Sequence, residues 1–152
     1  MGINVTELRE PNFEIDLPGE WEQAASEEDG AIEFAQVGGD RHMSVLLLAV
    51  RPVFAIADPE RMLDDYMRHR SRFEEGKLPK LSQSEPEICG TQDALVGTWS
   101  AVDPGTGRRF KHHVVRDGGL LADFRYEADG LNEAVFTEEA DAVFATARAS
   151  EG

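Results

Sequence analysis

Apolar and polar residues alternate near the start of the chain. In Asn12-Phe13-Glu14-Ile15-Asp16-Leu17 the apolar Phe13, Ile15 and Leu17 share one face, the pattern of a half-buried strand. Pro18-Gly19 ends it, and Trp21 is placed to close the core behind it. A second strand is predicted over 31–37 and a third over 42–50, joined across Gly38-Gly39-Asp40 as a hairpin. The third is apolar on both faces and so belongs inside a sheet.

The period then lengthens. Asp58-Pro59-Glu60 is a helix start: Asp58 can cap, Pro59 suits the first helical position and Glu60 complements the dipole. Met62, Leu63, Tyr66, Met67 and Phe73 follow on one face at helical spacing, and Gly76 ends the run. Glu85-Pro86-Glu87-Ile88 reads as a short edge strand, where the proline is tolerated. Strands are predicted over 91–103, 108–116 and 120–126, turned by Asp103–Gly107 and by Asp117-Gly118. Thr137-Glu138-Glu139 opens a second helix, with Phe136, Ala140, Val143, Phe144 and Ala147 as its apolar stripe. The predicted class is α+β: a single antiparallel sheet of about six to seven strands with two main helices packed on it, in the order βββαββββα. With 152 residues, one domain over 1–152 is expected.

This order, headed by Phe13-Glu14-Ile15-Asp16-Leu17-Pro18-Gly19-Glu20-Trp21, resembles the PsbP-like fold superfamily, whose opening strand is written F-x-I-x-L-P-x-x-W. Its members include photosystem extrinsic proteins, a Ran-binding import factor, DcrB-like bacterial proteins and chaperones of type VI secretion effectors. The resemblance implies an antiparallel sheet with helices on its faces, used for protein binding and not for catalysis. The members differ in partner, so no functional residue carries over position by position.

Charge narrows the partners. The chain carries 30 acidic and 15 basic residues, a net −15. Residues 1–40 hold eleven acids against one base, residues 127–152 hold seven against one, and the middle is balanced. Nucleic acid is not expected as a ligand, because phosphate binding needs net positive surface. The longest apolar run, Val45–Val50, is too short to span a bilayer, and no stable membrane association is expected. Met1–Glu10 does not read as a secretory signal, which together with a single cysteine leads to an expected cytoplasmic location. Cys89, between Ile88 and Gly90, is expected to be a packed structural residue.

Motifs for chemistry are sparse. There is no phosphate loop, no G-x-S-x-G and no H-E-x-x-H. The four histidines, His42, His69, His112 and His113, lack metal-ligand spacing, so no metal and no cofactor are expected. Two features stand out. Arg70 falls inside the apolar stripe of the first helix, where a buried cation must be paired or must snorkel. Arg108-Arg109-Phe110-Lys111-His112-His113 is a basic strand in an acidic protein. It puts Arg108, Phe110 and His112 on one face, where they can pair with acids such as Asp123 or meet an anionic segment.

Taken with these features, the resemblance implies a non-enzymatic protein-binding domain and, by analogy with the family's chaperone branch, a cytoplasmic chaperone or adaptor for a secreted or membrane-inserting partner. It would hold an apolar or amphipathic segment through Trp99, Phe110, Arg108, Arg70 and His112. One alternative is a small-ligand binder or enzyme with its site around His42, His112 and Asp123. Another is an acidic neutralising partner of a basic toxin.

Overall fold

The computed structural model describes residues 3–6, 12–25, 30–49, 58–78, 80–91, 94–117 and 120–150. Five strands precede the first helix: β1 (Ile3–Thr6), β2 (Asn12–Leu17), β3 (Trp21–Ala24), β4 (Ala31–Gln36) and β5 (His42–Ala49). Helix α1 (Pro59–Lys77) is followed by β6 (Ser82–Gln83), β7 (Glu87–Thr91), β8 (Ala94–Val102), β9 (Arg109–Asp117) and β10 (Leu120–Ala128). Helix α2 (Glu133–Phe144) and β11 (Arg148–Ser150) complete the order.

Every described strand pairing is antiparallel. The main sheet has eight strands in the order β3-β4-β5-β10-β9-β8-β6, with β7 also paired to β8. The α+β class, the antiparallel sheet and the two helices agree with the sequence pattern. A second sheet, β1-β2-β11, joins them, so the opening strand lies beside the main sheet and not in it. The short β1, β3 and β11 were not legible, because three or four residues carry too little alternation to register.

Last in the chain's run of strands but central in the sheet, β10 lies between β5 and β9. Both its faces are covered, which is why nearly all of Leu120–Ala128 is buried. On one face Met43, Val45, Ala122, Phe124 and Tyr126 meet Phe13, Ile15 and Leu17 of β2 and Phe136, Ala140, Val143 and Phe144 of α2. Phe13 sets its edge against Phe124 at 6.2 Å, a favoured aromatic geometry. Trp21 closes this core and donates its indole N–H to the Pro18 carbonyl at 2.8 Å. The α2 stripe is buried as its spacing predicts. The helix itself begins earlier than Thr137, because Asn132 accepts from the Val135 N–H and takes the capping role.

Helix α1 covers the opposite face. Asp58 accepts from the Glu60 N–H at 3.1 Å and Pro59 occupies the first turn, as expected of that start. Leu63 and Met67 pack with Leu95, Trp99, Val114 and Leu121. Gly97 lets the helix approach, since a Cβ there would collide with the sulfur of Met67. Phe73, assigned to the apolar stripe, is 43% exposed, and Glu74 is buried in its place. Glu74 lies seven residues beyond Met67, two helical turns along the same face, whereas Phe73 lies further round.

Two further expectations change. Cys89 is exposed. On β7 the alternation turns Ile88 towards the α1 cluster and Cys89 to the other side. The Asp117-Gly118 turn signal runs into residues 118 and 119, which lie outside those described; the strands on either side pair from Leu120 opposite Asp117.

Candidate functional site

The face beneath α1 carries most of the buried charge. Residues at alternate positions of β9 and β10 point towards the helix: Phe110, His112 and Val114 from β9, and Asp123, Arg125 and Glu127 from β10. Across the strands His112 stands opposite Arg125, and Asp123 is its diagonal neighbour. The last two turns of α1 bring Arg70, Phe73, Glu74 and Lys77 over this face.

His112 is the centre of the arrangement and is 1% exposed. Its Nδ1 lies 2.7 Å from Asp123 Oδ1 and its Nε2 lies 2.7 Å from Glu74 Oε1. Trp99 stacks flat on the ring, 3.8 Å between centroids and 5° from parallel. Asp123 also accepts from the Tyr66 hydroxyl at 2.6 Å, and its Oδ2 lies 3.7 Å from Arg70 Nε. The second oxygen of Glu74 accepts from Arg125 Nε at 2.7 Å. Arg125 stacks over Phe110 at 4.2 Å and pairs with Glu127. Arg108 donates to Glu127 at 2.8 Å and pairs with Asp129 at 2.9 Å.

The protonation state follows from this geometry. A neutral imidazole has one N–H and one lone pair, so one of its nitrogens would face a carboxylate oxygen without a proton between them. With both nitrogens 2.7 Å from carboxylates, His112 is the imidazolium. Burial works against that charge, but Asp123 and Glu74 prevail and hold the ring above its ordinary value. The same contacts take Glu74 down to about 2 against the cost of its burial, and lower Asp123 also. With His112 charged, four cations (His112, Arg70, Arg125, Arg108) face four carboxylates (Glu74, Asp123, Glu127, Asp129) in one connected network. Buried charges persist only when compensated in this way.

An open cleft of about 340 Å³ adjoins this network. The C-terminal half of α1 supplies Arg70, Phe73, Glu74 and Lys77, and the sheet supplies Glu33, His42, Ser44, Arg108, Arg125 and Glu127. Arg70 and Lys77 flank Phe73, with their charges 5.2 and 4.7 Å from its ring centroid.

The five residues expected to meet a partner do converge on this side of the sheet, but they divide. Trp99, Phe110 and His112 are 2%, 2% and 1% exposed, so these three are core and offer no surface to a partner. Trp99 does face away from Val96 and Thr98, but its side is the one α1 covers. Arg70 and Arg108 line the cleft. Of the trio His42, His112 and Asp123, the last two meet at 2.7 Å. His42 turns to Glu33 at 3.5 Å, and Glu74 takes the third place. Sequence reasoning missed Glu74; its place two turns after Met67 on the buried side was the available signal. Among the described residues no group of three His, Cys, Asp or Glu could hold a metal ion, and no helix is long and apolar enough to cross a membrane.

No family model matches the sequence, and no curated protein matches it. Solved structures do. Cyanobacterial PsbP (CyanoP) from Synechocystis sp. PCC 6803 is similar with a TM-score of 0.66 at 13% identity, over 91% of this chain and 86% of that one. LpqN, involved in cell envelope biogenesis of Mycobacterium tuberculosis, is similar with a TM-score of 0.52 at 14% identity, over 99% of this chain and 91% of that one. A Bacteroides thetaiotaomicron VPI-5482 protein gives 0.52 at 13%, over 91% of this chain but 45% of that longer one. At such identities the likeness concerns architecture alone. The backbone that carries the buried Glu74–His112–Asp123 chain thus has the PsbP-like fold.

Proposed function

We propose that this chain is a non-enzymatic protein-binding domain and that its binding site is the cleft between α1 and the sheet. The observation that carries the reading is the composition of one rim. A half-exposed Phe73 lies between Arg70 and Lys77 beside a cleft of about 340 Å³. Such a rim suits an amphipathic segment that lays an apolar side chain on the ring and sets a carboxylate beside Lys77. The likeness to PsbP and to LpqN, a protein of envelope biogenesis, supports a binding role by analogy of fold. A cytoplasmic chaperone or adaptor is the finer form of this proposal.

The buried histidine favours binding over catalysis. General base work needs an imidazole nitrogen facing substrate, and both nitrogens of His112 already face carboxylates. The cleft is also of a size that takes small molecules, and His42, Arg70 and Arg125 converge on it. A small anionic ligand is therefore the second reading.

Pull-down of the native partner with wild type and with the double variant Phe73→Ser/Lys77→Glu tests the proposal. Loss of at least tenfold in partner binding is expected, with little change in the thermal midpoint because Phe73 is half-exposed. Equal binding by both forms would remove the cleft from the interaction. Stabilisation of the wild type by small dicarboxylates, lost in Arg70→Gln, would favour the second reading.

A further inference from the structure

Beyond Met67, helix α1 is held to the sheet in an unusual way. Its buried residues are Leu63, Met67 and Glu74, so the last ten residues bury no apolar side chain of their own. What ties this half down is mainly polar. Glu74 bonds His112 and Arg125, Arg70 lies beside Asp123, and Gln83 donates to the Ser71 carbonyl at 2.9 Å. Among the described residues the partly buried Leu78, just past the helix, adds an apolar contact, with the Leu81–Phe110 cluster.

We infer that His112 is a proton-operated latch: charged, it ties the C-terminal half of α1 to the sheet, and neutral, it lets that half loosen and so reshapes the cleft. The geometry gives the reason. A neutral ring retains one N–H, which serves either Glu74 or Asp123 and leaves a lone pair against the other at 2.7 Å. Asp123 has Tyr66 and Arg70 as further partners on α1, whereas Glu74 retains Arg125, itself shared with Glu127, and the attraction of Arg70. These are the charged and titratable groups that face the ring, from α1 and from β10. Trp99 of β8 offers only its apolar face and excludes water. Loss of one proton removes the cation that the buried Glu74 and Asp123 share and leaves the network one positive charge short at its most buried point, an imbalance such a site does not sustain. The position of α1 then changes most easily, because the other members lie on paired strands.

The tie strengthens as pH falls and weakens as pH rises. His112 is held above the ordinary 6.5, so the charged tie is complete below that value and is lost as pH climbs through the raised one. That this motion governs partner binding rests on the cleft reading above; the latch itself does not.

The test uses the ligand-free full chain, with nitrogen-15 spectra of the histidine rings and hydrogen exchange of α1 amides. At about pH 6 both ring nitrogens of His112 are expected to carry protons. Exchange over residues 70–77, corrected for base catalysis, is expected to rise about tenfold more than over 60–67 as the ring loses its proton. His112→Gln is expected to abolish that pH-linked rise; if this variant does not fold, the wild-type spectra and exchange decide. A ring with one bare nitrogen at about pH 6, or exchange over 70–77 that ignores the ring's titration, overturns the latch. If the latch titrates as described and Phe73→Ser/Lys77→Glu still binds the partner, the binding site fails and the latch stands.

Discussion

The two faces of the main sheet are built on different principles, and neighbouring residues of β9 show it. His113 points to the α2 face, where it stacks on Phe144 at 5.0 Å beside Phe124 in an aromatic core. His112 points to the α1 face, where two carboxylates hold it. Burial pushes His113 down to about 4 and keeps it neutral, whereas His112 is raised and charged. Desolvation penalises charge on both faces; opposed charge overcomes it on one only. The α2 face is held by apolar burial, with Tyr126 and Arg41 bonding Glu139 as its polar fastening. The α1 face combines a small apolar cluster with an ionic network.

Truncation on the apolar face is expected to cost most. Phe124→Ala removes a fully buried ring among Phe13 and the α2 stripe. A loss of about 3–5 kcal/mol in urea unfolding is expected. A loss below that of the ionic-face variant described next would reverse the ranking of the two faces.

On the ionic face His112→Leu leaves Glu74 and Asp123 buried without the cation they share. The expected loss is about 3 kcal/mol, at the lower end for a broken buried pair, because Arg125 and Arg70 remain beside the carboxylates. Retention of wild-type stability at about pH 7 would mean that the network confers little stability.

Proton linkage sharpens the comparison, because the signs are opposite. As pH falls from the ordinary 6.5 towards about 4, the unfolded chain takes up a proton that folded His113 refuses, and stability falls. His112 contributes fully below 6.5 and loses its contribution as pH rises through its raised value. Urea midpoints measured against pH should therefore show the acid limb flattened in His113→Asn and the alkaline limb flattened in His112→Gln. If both substitutions flatten the same limb, the contrast between the faces fails.

The smallest effect belongs to the half-exposed pair Lys111–Asp141, at 2.7 Å on the α2 side. Lys111→Ala should cost less than about 1 kcal/mol, measured as the shift in urea midpoint. A larger loss would show that α2 depends on this ion pair as well as on Arg41–Glu139.

Local pattern made much of the fold legible. Alternation exposed β2, because facing one covered side requires only that every second residue be apolar, a run apolar on both faces exposed β5, and turn residues bounded β9 and β10. The α2 stripe and the Asp58-Pro59 helix start were legible for the same reason: they involve residues within a few positions of one another. In the site, pairing of His112 with an acid such as Asp123 could be anticipated, because the two fall on adjacent antiparallel strands. For Glu74 helical spacing signalled only a buried side; that it would meet His112, 38 residues away on another element, was not legible.

By itself the sequence determined the longer strands, the main helices and the face that Phe110 and His112 share. Only the tertiary structure decided what covers each face. Both faces of β9 alternate basic, aromatic and aliphatic residues, so nothing local says that α1 covers Trp99 and Phe110 and makes them core. The charge of His112 was likewise settled by assembly. An imidazole takes its protonation from the groups within bonding distance, and residues 74, 112 and 123 come into that distance only when helix and sheet have docked.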